Sequence, residues 1–254
     1  MKEDSFVALL VDAVRTRTAL DPSRVKDRPE VTPEAAYDIQ DQVIAALGGE
    51  IEAAKLGLTS RAKQEQMNVN EPSYGWLLAG SRIESSNPLK ASDLIQPRAE
   101  PEIAFVIGKK LAGDAVTAAE VVAATEGVMP AIDILDSRYA GYSFTLPEVI
   151  ADNASAARYA LGSPVSVDEI NLRTVGCVFT KNGQLVATAA GAAVLDDPAE
   201  AIAWFVRKLS ARGRHLEPGS LVLSGALTAA VPVTEGDEIT VEIDRLGRLD
   251  LQVA

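Results

Sequence analysis

Arg98-Ala99-Glu100-Pro101-Glu102-Ile103-Ala104-Phe105-Val106-Ile107 is a run whose apolar members suit a β-strand and whose two glutamates do not suit a core. Side chains alternate faces along a strand, so Glu100, Glu102, Ala104 and Val106 share one face while Ala99, Pro101, Ile103 and Phe105 share the other. Two carboxylates on one face repel each other, and burial makes each harder to ionise, so the arrangement is costly unless a cation neutralises it. Oxygen ligands without Cys or His favour Mg²⁺ or Mn²⁺ over zinc. The competing reading is a half-exposed edge strand whose glutamates face water, which Pro101 would tolerate.

A third acid lies downstream. In Pro130-Ala131-Ile132-Asp133-Ile134-Leu135-Asp136-Ser137-Arg138, Asp133 sits among apolar residues at strand spacing and Asp136 falls on the opposite face. If Asp133 faces the same core as Glu100 and Glu102, three converging carboxylates call for a cation. Lys55, inside the short apolar stretch before Gly57, is either a snorkelling surface residue or a buried functional cation. Asn70 to Trp76 reads as a turn projecting aromatic and small polar groups toward one wall of a pocket. Ala151-Asp152-Asn153-Ala154-Ser155-Ala156-Ala157-Arg158 suits a loop packed against a ligand, or an Asx turn before a strand.

With 254 residues and 47% apolar content, the chain can build a substantial core, and its formal charge of −12 opposes binding to nucleic acid. It has one cysteine, Cys177, and one histidine, His215, so disulfide frameworks, cysteine-rich zinc sites and Ser-His-Asp chemistry lack material. No uncharged run is long enough to cross a bilayer and the N-terminus lacks the order of a secretory signal, which points to a cytoplasmic protein without a membrane partner. No glycine-rich phosphate loop is present, which disfavours nucleotide binding.

Taken in order, residues 4 to 19 show helical spacing with Asp4 or Ser5 as cap, and Pro33 to Leu47 form a second helix capped by Thr32 and closed by Gly48-Gly49. A polar linker with Pro22 and Pro29 joins them, and Ser60 suits the cap of a further helix. Capping boxes at Thr117/Glu120 and Asp197/Glu200 open helices reaching Val128 and Gly213, and Asn182-Gly183 marks a two-residue hairpin turn. Short strands follow from Ser220 to Ser224, Glu238 to Ile243 and Leu249 to Val253. The pattern is α+β: a mainly helical N-terminal segment, 1–85, and a β-rich catalytic domain, 86–254.

Together, Lys55-x-Gly-Leu-Thr-Ser60, Pro97-Arg-Ala-Glu-Pro-Glu-Ile-Ala-Phe105, Pro130 to Arg138 and Ala151-Asp-Asn-Ala-Ser155 resemble the hydratase/decarboxylase branch of the fumarylacetoacetate hydrolase superfamily. The resemblance runs from about residue 32 to the end. It implies a mixed β-sheet roll or barrel, with Glu100, Glu102 and Asp133 binding Mg²⁺ or Mn²⁺ and Lys55 and Ser155 lining the active site. The third ligand of that family is usually Glu, and Asp133 is one methylene shorter.

Two activities of aromatic catabolism share that scaffold. Hydratases resemble Pro-Asp-Phe-Gly or Pro-Asp-Tyr-Gly where this chain has Pro72-Ser73-Tyr74-Gly75. Decarboxylases of the 4-oxalocrotonate type lack that Asp, and they resemble this chain at Asp136-Ser-Arg-Tyr139, Ala151 to Arg158 and Thr228-Ala-Ala-Val-Pro-Val233. The resemblance therefore implies decarboxylation of 2-oxohex-3-enedioate, with 2-hydroxypenta-2,4-dienoate hydration and a non-catalytic metal-binding scaffold as the alternatives. Ser73, Tyr74, Trp76 and Leu77 are candidates for an uncharged wall beside the leaving carboxylate. Tyr74, Ser73, Arg138, Arg158 and Thr228 are the expected substrate-binding residues, although either arginine could instead orient acidic side chains. A homo-oligomer, in complex with the pathway's hydratase, is the implied assembly.

Overall fold

Two amphipathic helices open the chain in the computed structural model, which describes residues 3–21, 31–61, 64–65, 69–84 and 87–254. Helix α1 (Glu3–Thr16) starts ahead of the expected cap and buries Phe6, Leu10, Val11 and Ala13. Helix α2 (Pro33–Leu47) begins as expected: Thr32 Oγ1 accepts from the Ala35 N–H at 3.2 Å, Pro33 fills the first turn, and Gly48 ends the helix at a φ of 75°. The linker prolines and most of the expected Ser60-capped helix lie outside the described residues, as does the junction at residue 85.

After these helices the chain turns to strands earlier than expected. Strands β1 (Ile51–Gly57) and β2 (Ser73–Leu78) pair antiparallel, so the segment read as mainly helical also supplies two strands of the sheet. Ala53, Ala54 and Lys55 have little intrinsic strand preference, and pairing on both sides overrides it. Next come β3 (Arg98–Ile107), α3 (Ala118–Ala124) and β4 (Thr125–Leu135). The Thr117/Glu120 capping box is formed, but α3 stops at Ala124, short of Val128, because Thr125 onward joins β4 and pairs with β3. Then follow α4 (Leu146–Ala151), β5 (Ala156–Leu161), β6 (Gly176–Lys181), β7 (Gln184–Ala190) and α5 (Pro198–Ala211). Asp197 caps α5 through the Ala199 N–H, while Glu200 pairs with Arg207 instead of closing the expected box. The chain ends with β8 (Leu221–Ala226), β9 (Val231–Pro232), β10 (Glu238–Ile243) and β11 (Gly247–Gln252).

One sheet runs β2-β1-β8-β3-β4-β5, with β9 added on β3, and a second runs β11-β10-β6-β7. In the first, β1 and β8 pair in parallel and the other named strands pair antiparallel. Asn182 and Gly183 have φ values of 53° and 72° and close the β6–β7 hairpin, as their sequence predicts. Cys177 is buried in β6, where loss of water pushes its thiol up to about 12.

Each face of the large sheet carries a core. On one, Leu56, Tyr74, Trp76, Phe105, Ile132 and Val222 pack beneath the helices with Phe205 of α5. On the other, Ala53, Leu77, Ala104, Met129, Tyr159 and Leu223 form a smaller cluster. The sheet is strongly curled. On a flat sheet β1 and β4 would stand about 14 Å apart, three strand spacings, yet Lys55 on β1 reaches Asp133 on β4 at 2.9 Å. The smaller cluster therefore lines the concave side and the helices cover the convex one.

This division places Tyr74 away from the expected pocket wall. Its ring stacks on Tyr37 at a centroid distance of 4.3 Å and meets Phe205 at 5.0 Å. Tyr74→Ala should cost about 3 to 5 kcal/mol, as for other buried aromatic truncations. Urea unfolding should show that loss, and a change below about 1 kcal/mol would contradict the placement.

Candidate functional site

Strand register brings the three acids together. Glu100 and Asp133 are direct cross-strand partners, and Glu102 lies one alternation further along the same face. All three are at most 4% exposed, and so is Lys55. The edge-strand reading is overturned, because β3 is paired with β8 on one side and β4 on the other. Pro101 is tolerated beside an irregularity in the β3–β8 pairing, and its carbonyl accepts from the Leu227 N–H at 2.9 Å.

The electrostatics follow from this burial. Burial disfavours the Lys55 charge, but Asp133, Glu100 and Glu102 outweigh it and hold the ammonium pKa above its ordinary value. For Glu102, burial and repulsion from Asp133 and Glu100 raise the pKa well above the carboxylate range, against Lys55 and the Gly225 N–H. Glu102 Oε2 accepts from that N–H at 2.7 Å, while Oε1 is buried without a hydrogen-bond partner among the described residues.

These features test the fit of a metal. With all three acids ionised, three negative charges face one ammonium, an excess that a divalent cation would balance. The donor set is oxygen only, and Glu102 Oε1 is a buried acceptor in need of a positive partner. Among the described residues no three such side chains already stand arranged as a ligand set. Instead the Lys55 ammonium sits against Asp133. The residues fit Mg²⁺ or Mn²⁺ in type and charge, and holding the ion requires the carboxylates to turn toward a common point.

Ser73 joins this face. It is buried opposite Gly57 on β1, and a Cβ built on Gly57 would lie 3.1 Å from Ser73 Oγ and 4.0 Å from Lys55 Nζ. Leu77 follows on the same side, whereas Tyr74 and Trp76 point to the convex core by the same alternation.

The Asp152–Ser155 loop closes over Lys55, whose Nζ donates to the Ala154 carbonyl at 3.2 Å. Asn153, Ala154 and Ser155 have φ values of 54°, 51° and 55°, three successive non-glycine residues in the left-handed region. For Ala154 and Ser155 this costs on the order of 1 to 2 kcal/mol each, so the loop needs external support. Ser155 is buried beside it, and its hydroxyl has no hydrogen-bond partner among the described residues.

Arg138 supplies much of that support. Its guanidinium bonds the Asp152 carboxylate and carbonyl, the Asp136 carbonyl at 2.5 Å and the Ala156 carbonyl at 3.2 Å. Even against this pull, burial pushes the Asp152 carboxyl up to about 6. Arg138 is thus committed to the loop, in line with its alternative reading as a residue that orients acids. Asp136 is tied to the backbone N–H groups of Ile95 and Gln96.

Two further expected residues stand apart from the carboxylates. Arg158 pairs in register with Ile134, on the face opposite Asp133. It borders, with Arg138, a separate cavity of about 460 Å³ beneath α1 and α2. Thr228 lies at the rim, in a cleft of about 520 Å³ that it shares with Ala226, the register partner of Glu102.

Sequence reasoning missed Asn153, Gly75 and Gly225. Asn153 Oδ1 accepts from the Trp76 N–H at 2.7 Å and its Nδ2 donates to the Trp76 carbonyl at 2.8 Å, in the manner of a neighbouring strand. A Cβ on Gly75 would stand 2.2 Å from the Asn153 carbonyl oxygen, and one on Gly225 2.0 Å from Thr59 Oγ1. Glycine within a strand signals such close approach, and that signal was available in both strands.

Residues 44–254 match the family profile of the fumarylacetoacetate (FAA) hydrolase C-terminal region. The chain is 41% identical over 229 residues to a 4-oxalocrotonate decarboxylase of Pseudomonas sp. (strain CF600), covering 89% of this chain and 87% of the relative. It is 37% identical over 252 residues to a 2-hydroxyhexa-2,4-dienoate hydratase of Comamonas testosteroni, covering 96% and 94%. The structure of 4-oxalocrotonate decarboxylase from Pseudomonas putida G7 complexed with magnesium and adipate superposes with a TM-score of 0.93 at 36% identity, over 100% of this chain and 99% of that one.

Replacing Glu102 with Gln separates the cost of the buried charge from its use. The amide keeps an acceptor for Gly225 and removes one repelling charge, so Glu102→Gln should melt no lower than the parent without divalent ions. The rise in melting temperature on adding Mg²⁺ should shrink, because tighter binding to the folded state is what produces it. An unchanged Mg²⁺ response in thermal scans would remove Glu102 from the ligand set.

Proposed function

The chain belongs to the fumarylacetoacetate hydrolase family, as a lyase of the decarboxylase or hydratase kind, and on that premise we propose that it decarboxylates 2-oxohex-3-enedioate to 2-hydroxypenta-2,4-dienoate and CO₂. The observation that carries this reading is Ser73, an uncharged side chain on the Lys55 face, where hydratases of this family resemble Pro-Asp-Phe-Gly. A hydroxyl is a far weaker base than a carboxylate at neutral pH, so the group that would activate water is missing. The decarboxylase from Pseudomonas putida G7 holds adipate, a six-carbon dicarboxylate like the proposed substrate. Hydration remains the second reading, since the Comamonas hydratase aligns over 96% of this chain.

Glu100, Glu102 and Asp133 would hold Mg²⁺ or Mn²⁺, which when bound supplies a Lewis acid for the 1-carboxylate and 2-oxo oxygens of the substrate. In the reaction the bond from C5 to the remote carboxylate breaks, and its electron pair passes through the alkene to the 2-oxo oxygen. The protein's task is to stabilise that developing charge and to return one proton. Lys55 suits both, because Asp133 keeps its ammonium charged inside a buried site. Ser73 and Leu77 give the departing carboxylate an uncharged surround, which avoids stabilising the ground state over the transition state.

Ser73→Asp tests the assignment. A new carboxylate there would repel the remote carboxylate of the substrate by about a few kcal/mol in a partly buried site, which weakens binding of the dioate, so kcat/KM for decarboxylation should fall at least tenfold. Progress curves for CO₂ release from 2-oxohex-3-enedioate and for hydration of 2-hydroxypenta-2,4-dienoate, with the same metal, give the readout. Efficient hydration by the unaltered enzyme without CO₂ release from the dioate would establish the hydratase instead.

A further inference from the structure

Lys55 carries three N–H donors on one ammonium, and among the described residues it has one ion-pair partner and one carbonyl acceptor. Asp133 Oδ2 stands at 2.9 Å and the Ala154 carbonyl oxygen at 3.2 Å. The ammonium is thus held between an ion-pair partner and a carbonyl, which leaves an N–H over for a further acceptor. The Asp133 contact comes from a rigid strand within the sheet. The Ala154 contact comes from a turn that its own residues disfavour, with three successive left-handed φ values.

What holds that turn lies outside it. The Asn153 side chain makes a two-way hydrogen-bonded pair with the backbone of Trp76, and β2 brings Gly75 so close beneath the Asn153 carbonyl that no side chain would fit. On the other side, the buried Arg138–Asp152 ion pair grips the residue before the turn and the carbonyl after it. The Asp136 N–H donates to the Ser155 carbonyl at 2.8 Å. None of these groups belongs to Glu100, Glu102 or Asp133, yet all of them determine where the Ala154 carbonyl sits.

We propose that Asn153 is a positioning residue for Lys55: by pinning the turn to Trp76, with Arg138 and Asp152 as its second anchor, it keeps the Ala154 carbonyl on the ammonium and leaves one N–H aimed at the substrate. The inference rests on the reading of Lys55 as the group that handles the developing oxyanion. It assigns Asn153 no contact with substrate. Its effect passes through the ammonium alone.

A double-mutant cycle tests this, using the full-length enzyme with Mg²⁺ and 2-oxohex-3-enedioate. Asn153→Ala should lower kcat by about 100-fold, the scale expected of a misplacement near 1 Å, with KM within about threefold. Asn153→Asp, which keeps an acceptor for the Trp76 N–H and tolerates left-handed backbone, should recover most of that loss. In a Lys55→Ala background, Asn153→Ala should change kcat less than twofold, whereas multiplying losses would overturn the proposal. If Lys55→Ala alone retains kcat within a few-fold, the underlying reading of Lys55 fails, a result separable from the fate of Asn153. A second readout needs no turnover: the ¹H–¹⁵N signal of the hydrogen-bonded Lys55 ammonium, identified by its loss in Lys55→Ala. That signal should broaden or vanish in Asn153→Ala and persist in Asn153→Asp, and an unaltered signal in Asn153→Ala would overturn the proposal. Should Asn153→Ala not fold, Arg138→Lys loosens the second anchor and is judged by the same signal and the same cycle.

Discussion

The contact between Lys55 and Asp133 joins strands that are not neighbours, and much of the molecule is arranged to permit it. A buried ion pair returns its desolvation cost only with good geometry and further hydrogen bonds. The curl of the sheet supplies the geometry, the Ala154 carbonyl supplies a hydrogen bond, and Gly225 supplies another to the neighbouring Glu102. Glu100 and Glu102 enlarge the negative charge beyond what one ammonium balances. The concave face is thereby strained toward cations while the convex face, packed beneath the helices, carries the larger part of the apolar core.

How far this was legible in the sequence depends on the range of the interaction concerned. Alternation along β3 was enough to put Glu100 and Glu102 on one face, because strand periodicity is local, whereas Asp133 joins them through the β3–β4 register that pairs it with Glu100. The same rule, applied to β2, separates Ser73 from Tyr74 and Trp76, but Asn70 to Trp76 read as a turn, so the aromatic wall followed from a strand that was missed. The helices with explicit caps began where their sequences predicted, as Thr32 and Thr117 show. Strand β1 was hidden, since its residues have weak strand preference and its partner β8 lies far along the chain.

The candidate site was legible as residue types and less so as roles. Lys55 read more readily as a surface residue until the family resemblance was weighed, because burial of a lone lysine depends on partners from other strands. Arg138 and Arg158 look alike in sequence, yet one is enclosed by carbonyls and Asp152 while the other turns to the opposite face of the sheet from Asp133. The support given by Asn153 to β2 joins residues 77 positions apart. No local pattern encodes such a contact, although the glycine at position 75 marks one side of it.

The two-faced sheet has a consequence for how such an enzyme can diversify. Adjacent positions of one strand answer to different demands: Tyr74 is answerable to folding and Ser73 to chemistry, although one peptide bond joins them. Substitutions confined to the concave row leave the helix-covered core intact, so a lineage can exchange one reaction for another without first losing its fold. Descendants with separate activities would then share nearly superimposable backbones, and their differences would be written in every second residue of a few strands.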